Sequence, residues 1–252
     1  IRKLSPKIGA RKLLVMMQKE KNLPLPGRDK LLSWLREEDL LVKTRQRRCS
    51  TTDSSHHYHK YTNLIRDFVP YRRNQLWVTD ITYIQTLEGF IYLNLITDAY
   101  SRKIIGWRLA PTLESKYSIE ALNMAINSAE DNISGLIHHS DRGVQYCCFK
   151  YTDILKEKNI NISMTESGDP LENAIAERVN GILKQEWINN LRFKDIEEAN
   201  IFITDIIDFY NNERPHSSID MLTPNTAHNL EGLLQRRWKN YYKTKEENYI
   251  YM

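Results

Sequence analysis

Hydrophobic positions recur along this chain with two different periods, and the change from one to the other falls near residue 76. Ahead of it, "PKIGARKLLVMMQKEK" (6–21) reads as a helix with Leu13, Leu14 and Met17 along one side. "GRDKLLSWLREEDL" (28–41) reads as a second, carrying Leu31, Leu32, Trp34 and Leu35. The Pro/Gly-containing "NLPLPG" separates them. Two short helices flanked by Arg and Lys have the size of a helix-turn-helix unit, and a small helical spacer fits the pattern equally well. Periodicity is lost over residues 43–75, where Ser, Thr, His and Arg collect as in a linker.

From Trp77 the period drops to two. "LWVTDITYIQT", "GFIYLNLITD" and "RKIIGWRLA" are β-branched and aromatic runs separated by short turns, and predict three consecutive antiparallel strands. A helix follows over 114–131, with Ile119, Leu122 and Ile126 on one side. Then come "GLIHHSD" as a strand, "CFKYTDILKEKN" as a helix, "INISM" as a strand and "PLENAIAERVNGILKQEW" as a helix. The helix "DIEEANIFITDIIDFYNNE" and a polar, aromatic tail end the chain. This order predicts an α/β fold, a mixed sheet flanked by helices and preceded by a small helical segment.

Charge sharpens the division. Residues 1–73 hold 18 Lys/Arg against 7 Asp/Glu, and the remainder 18 against 25. One end is suited to a polyanion, while the rest is a neutral-to-acidic globule. No run of apolar residues reaches membrane-spanning length, and no signal-peptide pattern opens the chain. An initial Ile rather than Met leads to the expectation that the chain starts inside a longer product. Three cysteines give no disulfide framework and suit a reducing cytosol. Cys49 with His56, His57 and His59 invites a zinc reading, but the spacing fits no usual site and a second ligand pair is missing.

Three carboxylates stand in awkward places. Asp80 interrupts an apolar strand, where an unpaired carboxylate is costly. Asp141 ends the "IHHSD" strand, at the end where α/β sheets bind ligands, although an Asp opening a turn before Gly143 fits as well. Asp98 shows what the turn explanation looks like, since it too ends a strand and leads into a tight turn. Glu177 shares a polar or small helix face with Asn173, Asn180, Gly181 and Lys184, while Glu172 and Glu186 project nearer the apolar stripe. The helix dipole accounts for Glu172 in the first turn, and Glu186 is expected to snorkel past Trp187. Two aspartates and a glutamate on separate elements can hold two Mg²⁺ ions, which stabilise the attacking and leaving oxygens of a phosphodiester displacement.

The blocks "WVTDITYI", "HHSDRGVQY" and "ENAIAERVNGILK" resemble those of bacterial insertion-sequence transposases with a retroviral-integrase-like core, in particular the second-reading-frame product of two-frame elements. Thirty-five residues separate Asp141 from Glu177, the family's spacing. "YNNERPHSSIDMLTP" and "SPKIGARKLL" resemble its C-terminal signature and the start of its helical DNA-binding segment, so that the likeness covers nearly the whole chain. Glu172 stands where the family usually has aspartate, and Ile219 where it usually has leucine.

The resemblance implies a ribonuclease H-like fold with Asp80, Asp141 and Glu177 as a catalytic and metal-binding triad, loaded with two Mg²⁺ for which Mn²⁺ is expected to substitute. It implies a helical DNA-binding segment over 1–42, a basic linker over 43–75, an integrase-like core over 76–228 and a tail over 229–252. Lys184, seven positions after Glu177, is the expected DNA contact. Arg142 and Arg178 beside the triad, and Arg11, Lys12, Arg45, Arg47, Arg48, Arg72 and Arg73 upstream, are the further DNA-binding candidates. The implied activity is metal-dependent cleavage at the terminal inverted repeats of a mobile element, then strand transfer into target DNA after one end joins the other. The implied setting is a homo-oligomer on double-stranded DNA in the bacterial cytoplasm, at the nucleoid; the family product normally carries a further helix-turn-helix and oligomerising segment from the first frame, and none is visible in this sequence. A nuclease of the same fold, or a non-catalytic DNA-binding relic, stays open as an alternative. A two-carboxylate glycosidase would leave the basic arm unexplained.

Overall fold

The computed structural model describes residues 1–18, 25–42, 56–129, 132–166 and 170–235. Strands β1 (Leu76–Thr86), β2 (Gly89–Asp98) and β3 (Ile104–Ala110) form the expected antiparallel meander, and β4 (Ile137–Ser140) and β5 (Asn161–Met164) run parallel to β1. The resulting mixed sheet has the order β3-β2-β1-β4-β5. Helices α1 (Ala10–Gln18) and α2 (Arg28–Glu37) precede it. The others are α3 (Ser115–Ser128), α4 (Val144–Cys147), α5 (Phe149–Glu157), α6 (Ala174–Glu186), α7 (Ile196–Asn212) and α8 (Pro224–His228).

Alternation along β1 sends side chains to two separate cores. Leu76 and Val78 pack with Ala176 of α6, and Ile84 joins Val179, Leu183 and Ile203 of α6 and α7. Trp77 points the other way, into a cluster with Leu122 and Ala125 of α3 and Tyr151 and Leu155 of α5. Burying both faces is what makes β1 nearly continuously apolar, and it makes a carboxylate in its middle conspicuous. Helix α3 lies so close to β3 that a Cβ on Gly106 would come within 2.3 Å of the Ala121 carbonyl oxygen. No side chain fits there, so glycine sets the helix–sheet distance.

The two neighbours of β1 differ in length. β2 pairs with it from Trp77 to Thr86, whereas β4 leaves it after Val78↔His139. Beyond Val78, one edge of β1 is therefore open, and α6 crosses it. The N-terminal helices do not stand apart from this core. Ile8, Leu13, Met16, Leu31 and Leu35 form one cluster with Phe209 of α7 packed against it, and the Trp187 indole N–H donates to the Leu4 carbonyl at 2.8 Å.

Glu186 corrects the sequence reading. It does not snorkel: it is buried, and its two oxygens accept from Arg214 Nη2 at 2.6 Å and Arg214 Nε at 2.7 Å. Arg214 itself is 0% exposed. Glu186 stands nine positions after Glu177, which puts the two on opposite sides of α6, so one helix presents one carboxylate to each side. Lys12 is corrected with it. Instead of facing outward, its Nζ lies 3.3 Å from Glu186 Oε1 and its stem is mostly covered. Burial and then the nearby Arg214 charge push the Lys12 ammonium down to about 8 against the pull of Glu186, which marks Arg214 as the principal partner. For Glu186 burial acts upward, but the Arg214 hydrogen bonds and charge, with Lys12 behind them, hold the carboxyl below its ordinary value.

Breaking a buried pair from one side strands the other charge and costs about 3–5 kcal/mol. Glu186→Gln and Arg214→Met should each lower stability by about that much near neutral pH in urea or thermal melts. A folded-state pKa below the unfolded 4.5 gives stability that is present above 4.5 and lost as pH falls through the lower folded value. The gap between wild type and Glu186→Gln should therefore narrow in melts repeated below pH 4.5. A gap independent of pH would remove the pair as its cause.

Candidate active site

Asp80 lies on the stretch of β1 that β4 leaves uncovered. Its carboxylate accepts from the Asn180 amide at 2.7 Å and from the Ile81 N–H at 2.9 Å, and no cation among the described residues pairs with it. Burial first, and then the charges of Asp141 and Glu177, raise this carboxyl to about 7, with the Asn180 and Ile81 bonds acting downward. The three predicted carboxylates thus act on one another electrostatically despite their distance in sequence. The Tyr146 hydroxyl reports the same convergence. It sits 3.4 Å from Thr79 Oγ1 and is pushed well above its ordinary value by burial and then by Asp141 and Asp80.

Asp141 follows the last residue of β4 directly, so the parallel pairing of β4 with β1 sets it beside Asp80. Its own turn shapes it locally: Asp141 Oδ1 accepts the Gly143 N–H at 2.9 Å, and Ser140 Oγ donates to the Asp141 carbonyl at 2.8 Å. A Cβ on Gly143 would press to 3.0 Å from that same Oδ1. The turn reading and the ligand reading of this aspartate are therefore compatible. The two histidines before it point elsewhere. His138 meets Tyr151 Oη at 2.9 Å and His139 meets Ser163 Oγ at 2.8 Å, and burial, foremost among the causes, pushes them down to about 3 and about 4. Both are neutral core residues.

Two asparagines flank Glu177, Asn173 at the N-terminal end of α6 and Asn180 within it. Asn173 Nδ2 donates to the Thr79 carbonyl at 3.0 Å and Asn180 Nδ2 to Asp80, so the positions bracketing Glu177 are both tied to consecutive residues of β1. A glutamate between them on one helix face is turned toward the same stretch. The sequence singled out both asparagines only as polar members of that face. Their spacing of seven, two helical turns, was the available signal that this stripe docks on a backbone edge. One turn further on, Lys184 Nζ lies 3.9 Å from the centre of the Tyr83 ring on β1, a cation–π contact. Glu172 lies in the 3₁₀ turn Pro170–Asn173 ahead of α6, and its carboxylate accepts the Glu166 N–H at 2.6 Å, a loop-closing role instead of the expected helix-end charge.

Asp98 is settled by its hydrogen bonds. Its oxygens accept the Ser101 N–H and hydroxyl and the Asn74 N–H, at 2.8, 2.7 and 2.8 Å, as a turn carboxylate should. The other basic candidates divide. Arg142 is half-buried beside Asp141, and its Nε has no hydrogen-bond partner among the described residues. Arg178 and Arg11 are exposed. Arg72 and Arg73 are not brought to the triad: they precede β1 and line a polar crevice of about 490 Å³ with Asn132, His228, Asn229 and Glu231. Arg45, Arg47, Arg48 and Cys49 lie outside the described residues, as does most of the C-terminal tail.

The donor set fits a hard divalent cation. It offers carboxylate oxygens from three elements, an Asp80 carboxyl whose ionisation burial and its acidic neighbours disfavour, and buried Asn173 and Asn180 amide oxygens with no hydrogen-bond partner among the described residues. No group of three or more His, Cys, Asp or Glu among those residues is already gathered into a coordination shell. No helix among them is long and apolar enough to cross a membrane.

Known proteins resemble this chain in sequence and in fold. Two family models described as integrase core domain match residues 70–170 and 158–224. The 31 kDa protein of insertion element IS600 from Shigella sonnei is 36% identical over 200 residues, covering 79% of this chain and 73% of that protein. Transposase InsF of insertion sequence IS3A from Escherichia coli is 34% identical over 198 residues, covering 77% of this chain and 68% of InsF. The transposase of IS629 from Shigella sonnei is 38% identical over 149 residues, although the chain spans only 50% of its length. Among solved structures, the simian T-cell lymphotropic virus intasome superposes with a TM-score of 0.54 at 16% identity, over 87% of this chain and 73% of that one. The HTLV-2 integrase catalytic core in complex with magnesium superposes with a TM-score of 0.50 at 16% identity, over 64% of this chain and 99% of that one. The sheet is thus the ribonuclease H-like sheet of an integrase core, and the chain belongs to the insertion-sequence transposases built on that domain.

Proposed function

We propose that this chain cuts and joins DNA at the ends of its mobile element, with Asp80, Asp141 and Glu177 holding a pair of Mg²⁺ ions that Mn²⁺ can replace. The observation that carries the reading is the double tie of α6 to β1, from Asn173 to Thr79 and from Asn180 to Asp80, with Glu177 between them on the face turned to Asp80. Cations bound there would supply Lewis-acid stabilisation of the attacking and leaving oxygens and a water acidified enough to attack a phosphodiester.

The protein's own groups prepare for this. Asp80, raised to about 7, would give up its proton near physiological pH once a cation is held beside it. Asn180 keeps one Asp80 oxygen engaged, which leaves the carboxylate a fixed orientation. Gly143 does the same for Asp141. Lys184, propped on the Tyr83 ring, holds a positive charge along β1 for the DNA backbone, and Arg142 and Arg178 are the further phosphate contacts beside the triad. Attack by water releases a 3′-hydroxyl, and that hydroxyl attacks a second strand, so no covalent link between protein and DNA is needed. The partners are the terminal inverted repeats and target DNA, engaged by a homo-oligomer at the bacterial nucleoid, with Arg11 on the exposed face of the N-terminal unit among the contacts.

The purified chain should transfer a labelled repeat end to a second duplex in Mg²⁺, and EDTA should abolish this. Glu177→Gln should reduce transfer to background while Glu172→Gln keeps most of it. Asn180→Ala should fall about 10–100-fold, as outer-layer partners of metal ligands do. Equal losses from Glu172→Gln and Glu177→Gln would sink the triad, and cleavage without joining would mark a nuclease.

Asp80 allows a test without DNA. A carboxyl whose folded pKa rises from 3.8 to about 7 weakens the fold as pH climbs through that window, because the unfolded chain ionises more readily. In EDTA at pH 8, inactive Asp80→Asn should therefore melt at a higher temperature than wild type. In Mg²⁺ wild type should gain stability and the variant should gain little. A less stable Asp80→Asn in EDTA would contradict the strained carboxylate.

A further inference from the structure

Residues 56–66 belong to the stretch that sequence periodicity assigns to a linker, yet they lie along the edge strand β5 and reach the turn that carries Asp141. Tyr58 packs edge-on against Phe149 of α5, with ring centres 5.7 Å apart. The Thr62 carbonyl accepts the Met164 N–H at 3.4 Å, the Leu64 N–H donates to Ser163 Oγ at 2.9 Å, and Glu166 accepts from the Asn63 N–H at 3.0 Å and from Arg66 at 2.8 Å. Ser163 Oγ in turn meets His139 Nδ1 at 2.8 Å, two residues before Asp141. The strap is thereby fixed in register, and its first described residue, His56, places Nε2 2.7 Å from the carbonyl oxygen of Arg142.

A carbonyl only accepts, so Nε2 carries the hydrogen and His56 donates. The turn after β4 then has three ties. Ser140 holds the Asp141 carbonyl, the Asp141 carboxylate holds the Gly143 N–H, and His56 holds the Arg142 carbonyl between them. The first two are local and travel with the turn. His56, of these three, comes from a remote segment, 86 residues away, and so ties the Arg142 peptide to a frame outside the turn. Rotation of the Arg142 peptide would re-aim both the Asp141 side chain and the half-buried Arg142.

We propose that His56 is a positioning residue for the reaction, one that fixes the Asp141 turn from the preceding strap by its hydrogen bond to the Arg142 carbonyl. The proposal rests on Asp141 being a ligand of the reaction centre. It makes the end of the strap part of the site, so that the reaction centre draws on four segments of chain: β1, the β4 turn, α6 and the strap.

The test uses the full chain with His56→Ala, His56→Gln and, as control, His57→Ala, whose ring is exposed and stacks on Tyr58 at 4.8 Å. His56→Ala should slow single-turnover strand transfer about 10–100-fold, with repeat-end affinity and melting temperature close to wild type. Added imidazole, or the amide donor of His56→Gln, should restore a large part of the rate, while His57→Ala stays at the wild-type rate. Hydrogen–deuterium exchange of residues 141–147, measured without DNA or metal, should rise in His56→Ala and not in His57→Ala. A wild-type rate and exchange in His56→Ala would overturn the proposal. So would a loss that follows melting temperature or DNA affinity and that neither imidazole nor glutamine relieves. If wild type itself transfers no strand, the functional reading fails, while the exchange experiment still decides whether His56 holds the turn.

Discussion

The orientation of α6 is the constraint on which the site depends, and the buried Glu186–Arg214 pair sets it. A helix lying on a sheet can roll about its axis at little cost if only apolar contacts hold it, because leucine and isoleucine faces are non-directional. A bidentate guanidinium–carboxylate pair is directional, and in a water-free setting it cannot be released without stranding two charges. With Glu186 fixed on one side of α6, the side opposite is fixed as well, and there stand Asn173, Glu177, Asn180 and Lys184. The asparagines finish the alignment by bonding to consecutive residues of β1. Two kinds of polar contact thus stop both ends of a helix that the apolar core alone would leave free to rotate.

The same pair joins three parts of the chain. Arg214 follows α7, Glu186 ends α6, and Lys12 comes from α1, whose cluster also takes in Phe209. The N-terminal helices therefore rest on the element that carries Glu177, at its far end. Their basic character does not make every base a nucleic-acid contact. Lys12 balances an internal acid, whereas Arg11, its neighbour, is exposed.

What could be read from sequence divides along physical lines. Strands and helices follow from local periodicity, and the five strands and the major helices fall where the pattern puts them. Asp80 is legible because a carboxylate in a doubly buried strand is costly unless it is paired or metal-bound. Glu177 is legible because its helix face is polar where a core-facing helix should not be. Asp98 and Asp141 look alike in sequence, each ending a strand before a turn, and what separates them is what lies alongside. Asp98 has the backbone of Asn74 and Ser101, and Asp141 has another carboxylate. Glu186 was misjudged for the matching reason. It stands on the apolar stripe of α6, which hinted at burial, but the buried guanidinium that makes this tolerable lies 28 residues away in "NNERPH". His56 was grouped with its histidine neighbours, and only the course of the strap along β5 sets it apart.

The supports around the proposed triad scale with the freedom of the element bearing each carboxylate. Asp80 sits within the central strand, whose backbone is paired with β2 along its length, and the Asn180 amide together with the Ile81 N–H orients its side chain. Glu177 rides on a helix held by side chains, and needs polar ties on both flanks and an ion pair behind. Asp141 lies just past a four-residue strand, where the chain is no longer held by a ladder, and its support is a glycine that lets the turn close, its own carboxylate as a brace, a serine behind and the strap histidine bonding the next carbonyl. A reaction centre that must hold three mutually repelling groups near one point needs rigidity supplied from outside those groups. At Asp80 it comes from two hydrogen bonds whose donors carry no charge, which orient the carboxylate without bringing a positive charge to it.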